Sequence, residues 1–156
     1  MSRRYATPEE AFIARTEWRG DCLIWTGSTS AGYGQISVGG KRIGAHRYAW
    51  EQTFGPIPPG RQVDHTCFVR ACVRAEHLRL ATPAENQRNK SGQNANNLSS
   101  GFRNVYRQGS RFRVRIEKEG VVHNFGQYAT AQEAADVAEI KRMELFGSFR
   151  GRGVNL

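Results

Sequence analysis

Between Val63 and Asn86 the chain reads VDHTCFVRACVRAEHLRLATPAEN, a stretch holding two of its three cysteines and two of its four histidines. Cys67, Cys72 and His77 follow the pattern C-x4-C-x4-H, which puts three soft or borderline donors on a short looped segment. Zinc in a closed structural site takes four such donors in a tetrahedron. Cys22, the remaining cysteine, would complete a Cys3His set and tie the N-terminal part of the chain to the central loop. Unrelated buried thiols beside a surface histidine are the plainer alternative, and the spacing alone does not exclude them.

Asp64, His65 and Asn86 remain once such a site is filled. A carboxylate oxygen and an amide oxygen are hard donors, suited to magnesium, with manganese an alternative. An imidazole beside them and off the metal can take a proton from water near neutral pH. Taken singly, each residue has a plainer reading: an Asp-His pair in a surface turn, an asparagine bonded to a helix end.

The charge balance favours the reactive reading. Lysine and arginine number 23 against 14 acids, a formal net charge of +9. Such an excess selects a polyanionic partner, most often nucleic acid. A hard divalent ion, a neutral base and a basic surface together describe hydrolysis of a phosphodiester. No run of about eighteen apolar residues is present to span a membrane. The opening MSRRYATPEE carries charge with no apolar segment behind it, so no secretory leader is expected. An odd cysteine count without a leader then argues for reduced thiols or metal ligands, and for a cytoplasmic protein. No organic cofactor is expected.

The elements that must position these groups are marked by turn and cap residues. ATPEEAFIAR reads as a short helix, with Thr7 as N-cap, Pro8 first in the helix and Glu10 completing a capping box. CLIWTG reads as a strand, and YGQISVGGKRIGAHR as a hairpin turning at Gly39-Gly40. HRYAWEQTF suits a helix stopped by Gly55 and Pro56, and Thr82 with Glu85 marks another helix start.

From Asn89 the composition turns polar and rich in Asn, Ser and Gly, as in a linker. The expected division is a module over residues 1–90, a linker over 91–100 and a second module over 101–150. In the last, FRNVYRQ, RFRVRIEKEG and VVHNFGQY read as three strands. TAQEAADVAEIKRMELFG reads as a helix with a Thr130–Glu133 capping box and a stop at Gly147. Its apolar Ala134, Val137, Ala138, Met143 and Leu145 roughly follow one stripe. In RFRVRIEK, Arg111, Arg113 and Arg115 alternate with Phe112, Val114 and Ile116, giving one cationic face and one packing face. Arginine can pair with guanine edges and grip phosphates, and a solvated face is the plainer alternative.

The order D-H-x-C-x4-C-x4-H-L followed by the asparagine of TPAENQRN resembles the phage-type HNH endonucleases of the His-Me finger (ββα-metal) superfamily. CLIWTG, GYGQISVGGKRIGAHRYAWE and GPIPPG extend the resemblance over roughly Cys22 to Lys90. The zinc pattern is also similar to one half of the His-Cys box homing endonucleases, although cysteines for a second zinc site are lacking. His77 stands where many HNH members have asparagine, and is read as a zinc ligand. The resemblance implies one magnesium between Asp64 and Asn86, His65 as general base, Arg47 on the phosphate, and 5′-phosphate and 3′-hydroxyl products.

GFRNVYR, FRVRI, FGQYATAQEAA and LFG resemble the Apetala/ethylene-response-factor DNA-binding domain. That implies a three-stranded antiparallel sheet on one helix, with Arg103, Arg107, Arg111, Arg113, Arg115 and Lys118 contacting double-stranded DNA. The expected whole is α+β: a zinc-stapled ββα-metal nuclease module followed by that sheet and helix. It would work as a monomer or a DNA-assembled dimer, in a homing or other phage setting. A non-catalytic zinc-containing DNA-binding regulator is the alternative, against which the intact Asp64, His65 and Asn86 set stands.

Overall fold

The structure is a computed structural model that describes residues 5–89, 99–149 and 151. It is a mixed α+β chain that divides into two compact units, Met1–Pro83 and Ala84–Leu156. The division falls ahead of the residue-90 boundary expected from composition, and the expected linker lies, up to residue 98, outside the described residues.

In the first unit α1 (Pro8–Ile13) begins at Thr7, whose Oγ1 accepts from the Glu10 N–H at 3.2 Å. The expected capping box is only half formed. The Glu10 carboxylate accepts from Ala6 N–H at 2.9 Å, one residue further out than Thr7. β1 (Thr16–Arg19) and β2 (Cys22–Trp25) form an antiparallel hairpin. Sequence reading misses β1 because Trp18, its one large apolar residue, is 63% exposed and leaves no buried alternation to see.

β3 (Thr29–Ser30), β4 (Tyr33–Val38) and β5 (Lys41–Gly44) make an antiparallel sheet in that order. Gly39 and Gly40, at φ 56° and 78°, turn β4 into β5. α2 (Ala45–Phe54) ends at Gly55, whose N–H donates to the Glu51 carbonyl at 3.2 Å. Trp25, Ile36, Ala45, Tyr48, Val73 and Leu78 belong to one buried core. Gly34 is what lets Trp25 lie across β4, since a Cβ there would sit 2.6 Å from the indole ring.

β6 (Gln62–His65) and β7 (Leu78–Ala81) pair antiparallel, with Asp64 opposite Arg79 and His65 opposite Leu78. The stretch read as looped is thus anchored by a hairpin. Val63 and Leu78 sink into the core, and the segment from Cys67 to a short 3-10 turn at Ala75–His77 lies between the strands. α3 (Pro83–Arg88) follows, and all of it beyond Pro83 belongs to the second unit.

In the second unit β8 (Val105–Gln108), β9 (Arg111–Lys118) and β10 (Val121–Tyr128) form an antiparallel sheet in the order β10-β9-β8. α4 (Ala131–Phe146) packs on it through Ala134, Ala135 and Ala138 against Val105, Val114 and Ile116. The Thr130–Glu133 capping box is complete, with reciprocal bonds of 3.2 Å each. Met143, placed on the apolar stripe, is 51% exposed. Arg142 is buried instead, donating to the Arg103 carbonyl at 3.0 Å and paired with Glu139.

Candidate functional site

Cys22 opens β2, and the segment carrying Cys72 is sewn alongside it. Trp25 N–H donates to Ala71 O at 2.8 Å, and Val73 N–H to Leu23 O at 2.7 Å. The loop between Cys67 and Cys72 folds back through Phe68, at φ 60°, and the 3-10 turn delivers His77. The three sulfurs and the His77 nitrogen all lie within 4.8 Å of one another. A tetrahedron with arms of about 2.3 Å has edges of roughly 3.8 Å, so four donors of this kind fit zinc with little adjustment.

Charge supports the fit. Hydrogen bonding from Cys72 holds the Cys67 thiol down to about 5, while the same contact and burial push Cys72 up, and burial pushes Cys22 up. Three adjoining thiols cannot all ionise without a cation among them.

His77 has a support that sequence reading passed over. Its Nε2 donates to Asp21 Oδ2 at 3.1 Å, which leaves Nδ1, 3.6 Å from both Cys22 and Cys72 sulfurs, as the atom that could ligate a metal. A carboxylate behind a ligating histidine sets its tautomer and the orientation of its ring. The only local signal was an acid directly before Cys22.

His65 ends β6 and is buried. Its Nε2 lies 2.9 Å from the Cys72 carbonyl, which can only accept, so Nε2 carries the proton and Nδ1 the lone pair. Burial pulls its pKa below the usual imidazole value, partly opposed by that carbonyl, and the ring is neutral at neutral pH. Beside it Asp64 is buried and accepts from Arg79 Nε at 2.9 Å. Arg47, in the first turn of α2, is exposed and makes no ion pair among the described residues. Asn86 is half-buried on α3, in the second unit.

His46 packs its ring 5.0 Å from that of His65 and 5.5 Å from that of Tyr33. Its Nδ1 is buried without a partner among the described residues, and burial lowers its pKa to about 4. The folded state therefore favours neutral His46, whereas the unfolded chain protonates it near 6.5. Stability should be full above pH 6.5 and fall through the window down to about 4, by up to about 3 kcal/mol. His46→Phe should flatten that limb in urea unfolding followed from pH 7 to 4. An unchanged limb would assign the acid loss to other groups.

The second unit presents a different surface. Arg111 stands opposite Gln108, Arg113 opposite Tyr106 and Gln127, and Arg115 opposite Asn124. Opposed residues share a sheet face, so Arg111, Arg113 and Arg115 lie together away from α4. Gln108, Asn124 and Gln127 join them, with Gln127 Nε2 donating to Gln108 Oε1 at 3.0 Å. Sequence alternation could not find these amides, because cross-strand register places them, and Gln127 joins that face only through an irregularity after Asn124. Arg107 and Lys118 are in register with Phe112 and Val121, on the opposite parity to the stripe. Arg103 is drawn inward, donating to the Arg88 carbonyl at 2.8 Å.

Residues 44–88 match the HNH endonuclease family. Protein 7.7 of Escherichia phage T7 is 45% identical over 67 residues, covering 42% of this chain and 52% of that protein. An uncharacterized HNH endonuclease of Acanthamoeba polyphaga mimivirus is 30% identical over 105 residues, covering 67% of this chain and 54% of its own length. Protein 3.8 of Escherichia phage T7 is 31% identical over 106 residues, and the match spans 67% of this chain and 85% of that protein.

The chain belongs to the family of phage T7 protein 3.8.

The segment that matches the HNH endonuclease family, residues 44–88, supports nuclease function at a general level and carries His46, Arg47, Asp64, His65, Cys67, Cys72, His77 and Asn86. The chain spans about half the length of the other two relatives, 52% and 54%. No solved structure matches it. No helix among the described residues is long and apolar enough to cross a membrane.

Proposed function

We propose that this protein is a metal-dependent DNA endonuclease that hydrolyses a phosphodiester to 5′-phosphate and 3′-hydroxyl ends. The observation that carries the reading is His65: buried, neutral and held at Nε2 by the Cys72 carbonyl, inside the segment that matches HNH endonucleases. With Nε2 engaged, Nδ1 takes the proton from the attacking water. Asp64 and Asn86 supply the oxygen donors that magnesium prefers, Asn86 by family pattern. When bound, magnesium would offset charge developing on the leaving 3′ oxygen. Arg47 would hold the phosphate, and Cys22, Cys67, Cys72 and His77 would hold a structural zinc, which would keep the Cys72 carbonyl in place.

The test is incubation with supercoiled plasmid, with and without magnesium, scored for nicked and linear product. Magnesium-dependent nicking supports the reading, and linear product at early times points to a DNA-assembled dimer. A complete absence of cleavage with magnesium and with manganese overturns it in favour of a non-catalytic DNA-binding regulator.

In this reading the second unit is an Apetala/ethylene-response-factor-like reader of double-stranded DNA, acting in the host cell. Replacing Arg111, Arg113 and Arg115 together should weaken duplex binding. If these arginines grip phosphates, the salt slope should fall by about one for each arginine removed, on every sequence alike. If they read bases, the preferred site should weaken by about 1–3 kcal/mol for each, with a scrambled duplex spared. Unchanged binding of the triple variant to both duplexes across a salt series would reduce the stripe to a solvated face.

A further inference from the structure

Building on the nuclease reading above, we propose that Arg70 grips a backbone phosphate of the DNA strand beside the one that is cut. Arg70 lies in the loop between Cys67 and Cys72 and is exposed. An exposed arginine ordinarily samples many rotamers, yet this one is held at three points. Its guanidinium stacks over Tyr33, with Cζ 5.6 Å from the ring centroid. Its NH1 donates to the Ala31 carbonyl at 3.2 Å. Its stem lies against Gly32, where an added Cβ would meet Arg70 Cδ at 3.3 Å.

The turn that receives it is itself unusual. Ala31 and Gly32 have φ of 50° and 83°, and an alanine in that region is strained. The strained turn presents the Ala31 carbonyl that orients the guanidinium. The acceptor is neutral, and among the described residues Arg70 pairs with no carboxylate that would offset its charge. Ordering a long cation without neutralising it is what a pre-set anion contact requires, and the planar fork of arginine suits phosphate oxygens.

Position identifies the anion. The Tyr33 ring that carries Arg70 also lies 5.9 Å from the His65 ring and 5.5 Å from the His46 ring. Guanidinium, phenol ring and base imidazole are contiguous, so Arg70 is two ring contacts from the chemistry. At a rise of about 3.4 Å per nucleotide along a strand, that separation reaches the near neighbours of the scissile phosphate. The flanking Cys67 and Cys72 belong to the Cys3His cluster, and backbone bonds from Trp25 to Ala71 and from Val73 to Leu23 tie the loop to β2, which keeps the cation and the base in one frame.

The experiment uses the full chain with its native zinc, and Arg70→Gln and Arg70→Lys variants checked for unchanged zinc content and melting. Nick sites are first mapped on plasmid DNA, and a synthetic duplex holding one site is made with single neutral methylphosphonates around the cut. At one position within two or three nucleotides, the substitution should slow single-turnover cleavage by the wild type about tenfold. Arg70→Gln should start about tenfold slower and lose nothing further at that position, and Arg70→Lys should fall between. Equal sensitivity of Arg70→Gln and wild type at every position overturns the assignment, as does a wild-type rate in the Gln variant. In parallel, binding of unmodified duplex is followed across a salt series without magnesium. Its slope should fall by about one in Arg70→Gln and be restored in Arg70→Lys. If the wild type never nicks, the nuclease reading fails, and this slope alone decides Arg70: unchanged, it is no phosphate contact.

Discussion

Replacing His65 with alanine is expected to slow single-turnover cleavage by at least about a hundredfold, the low end for loss of a general base. DNA affinity should be nearly unchanged, because the imidazole acts on water in the transition state and adds little to ground-state binding. The structure makes this a clean test. His65 donates to the Cys72 carbonyl but is not one of the four clustered thiol and imidazole donors, so zinc content should stay at one per chain. Cleavage by His65→Ala at the wild-type rate would move the base role elsewhere, with His46, 5.0 Å away ring to ring, the next candidate. A parallel fall in rate and zinc content would instead mean that the substitution had disturbed the metal loop.

Cys72→Ser should show the largest effect on stability. Cys72 is fully buried, and its backbone is bridged to Ile24 of β2 while its sulfur sits 3.6 Å from His77 Nδ1. For a small metal-stapled unit, the free energy of binding structural zinc is folding free energy, with apparent values of about 10–16 kcal/mol in zinc-finger peptides at neutral pH. Whole domains are stable by only about 5–15 kcal/mol, so a large part of that loss should unfold the first unit. Elemental analysis after gel filtration should find one zinc per wild-type chain and little in the variant. Near-ultraviolet signals from Trp25 and its neighbours should be lost at temperatures where the wild type is folded. The second unit has its own core around Val114 and Ile116 and should keep its helix signal, which separates loss of the staple from collapse of the chain. A zinc-free wild type with ordinary stability would remove the staple altogether.

What the sequence determined alone was chemistry set by a residue's own type or by neighbours a few positions away. Gly39-Gly40 had to turn, because positive φ angles cost glycine little. Thr130 and Glu133 had to cap α4, because their reciprocal bonds close within three residues. The alternation in RFRVRIEK already separated an arginine face from a packing face, since a strand has period two. The soft character of Cys22, Cys67, Cys72 and His77 named a metal, and the structure brings those donors within 4.8 Å of one another. Tertiary structure decided everything that depends on register and burial between distant segments. Pairing of β6 with β7 set Asp64 against Arg79, and the return of the metal loop put the Cys72 carbonyl at His65. The approach of β1–β2 brought Asp21 behind His77, and cross-strand register laid Gln108, Asn124 and Gln127 beside the arginines. Packing of Tyr33 joined Arg70 to the imidazoles. No local pattern encodes these contacts, because each follows from how a whole core buries its apolar surface and only then brings polar groups within a hydrogen bond of one another.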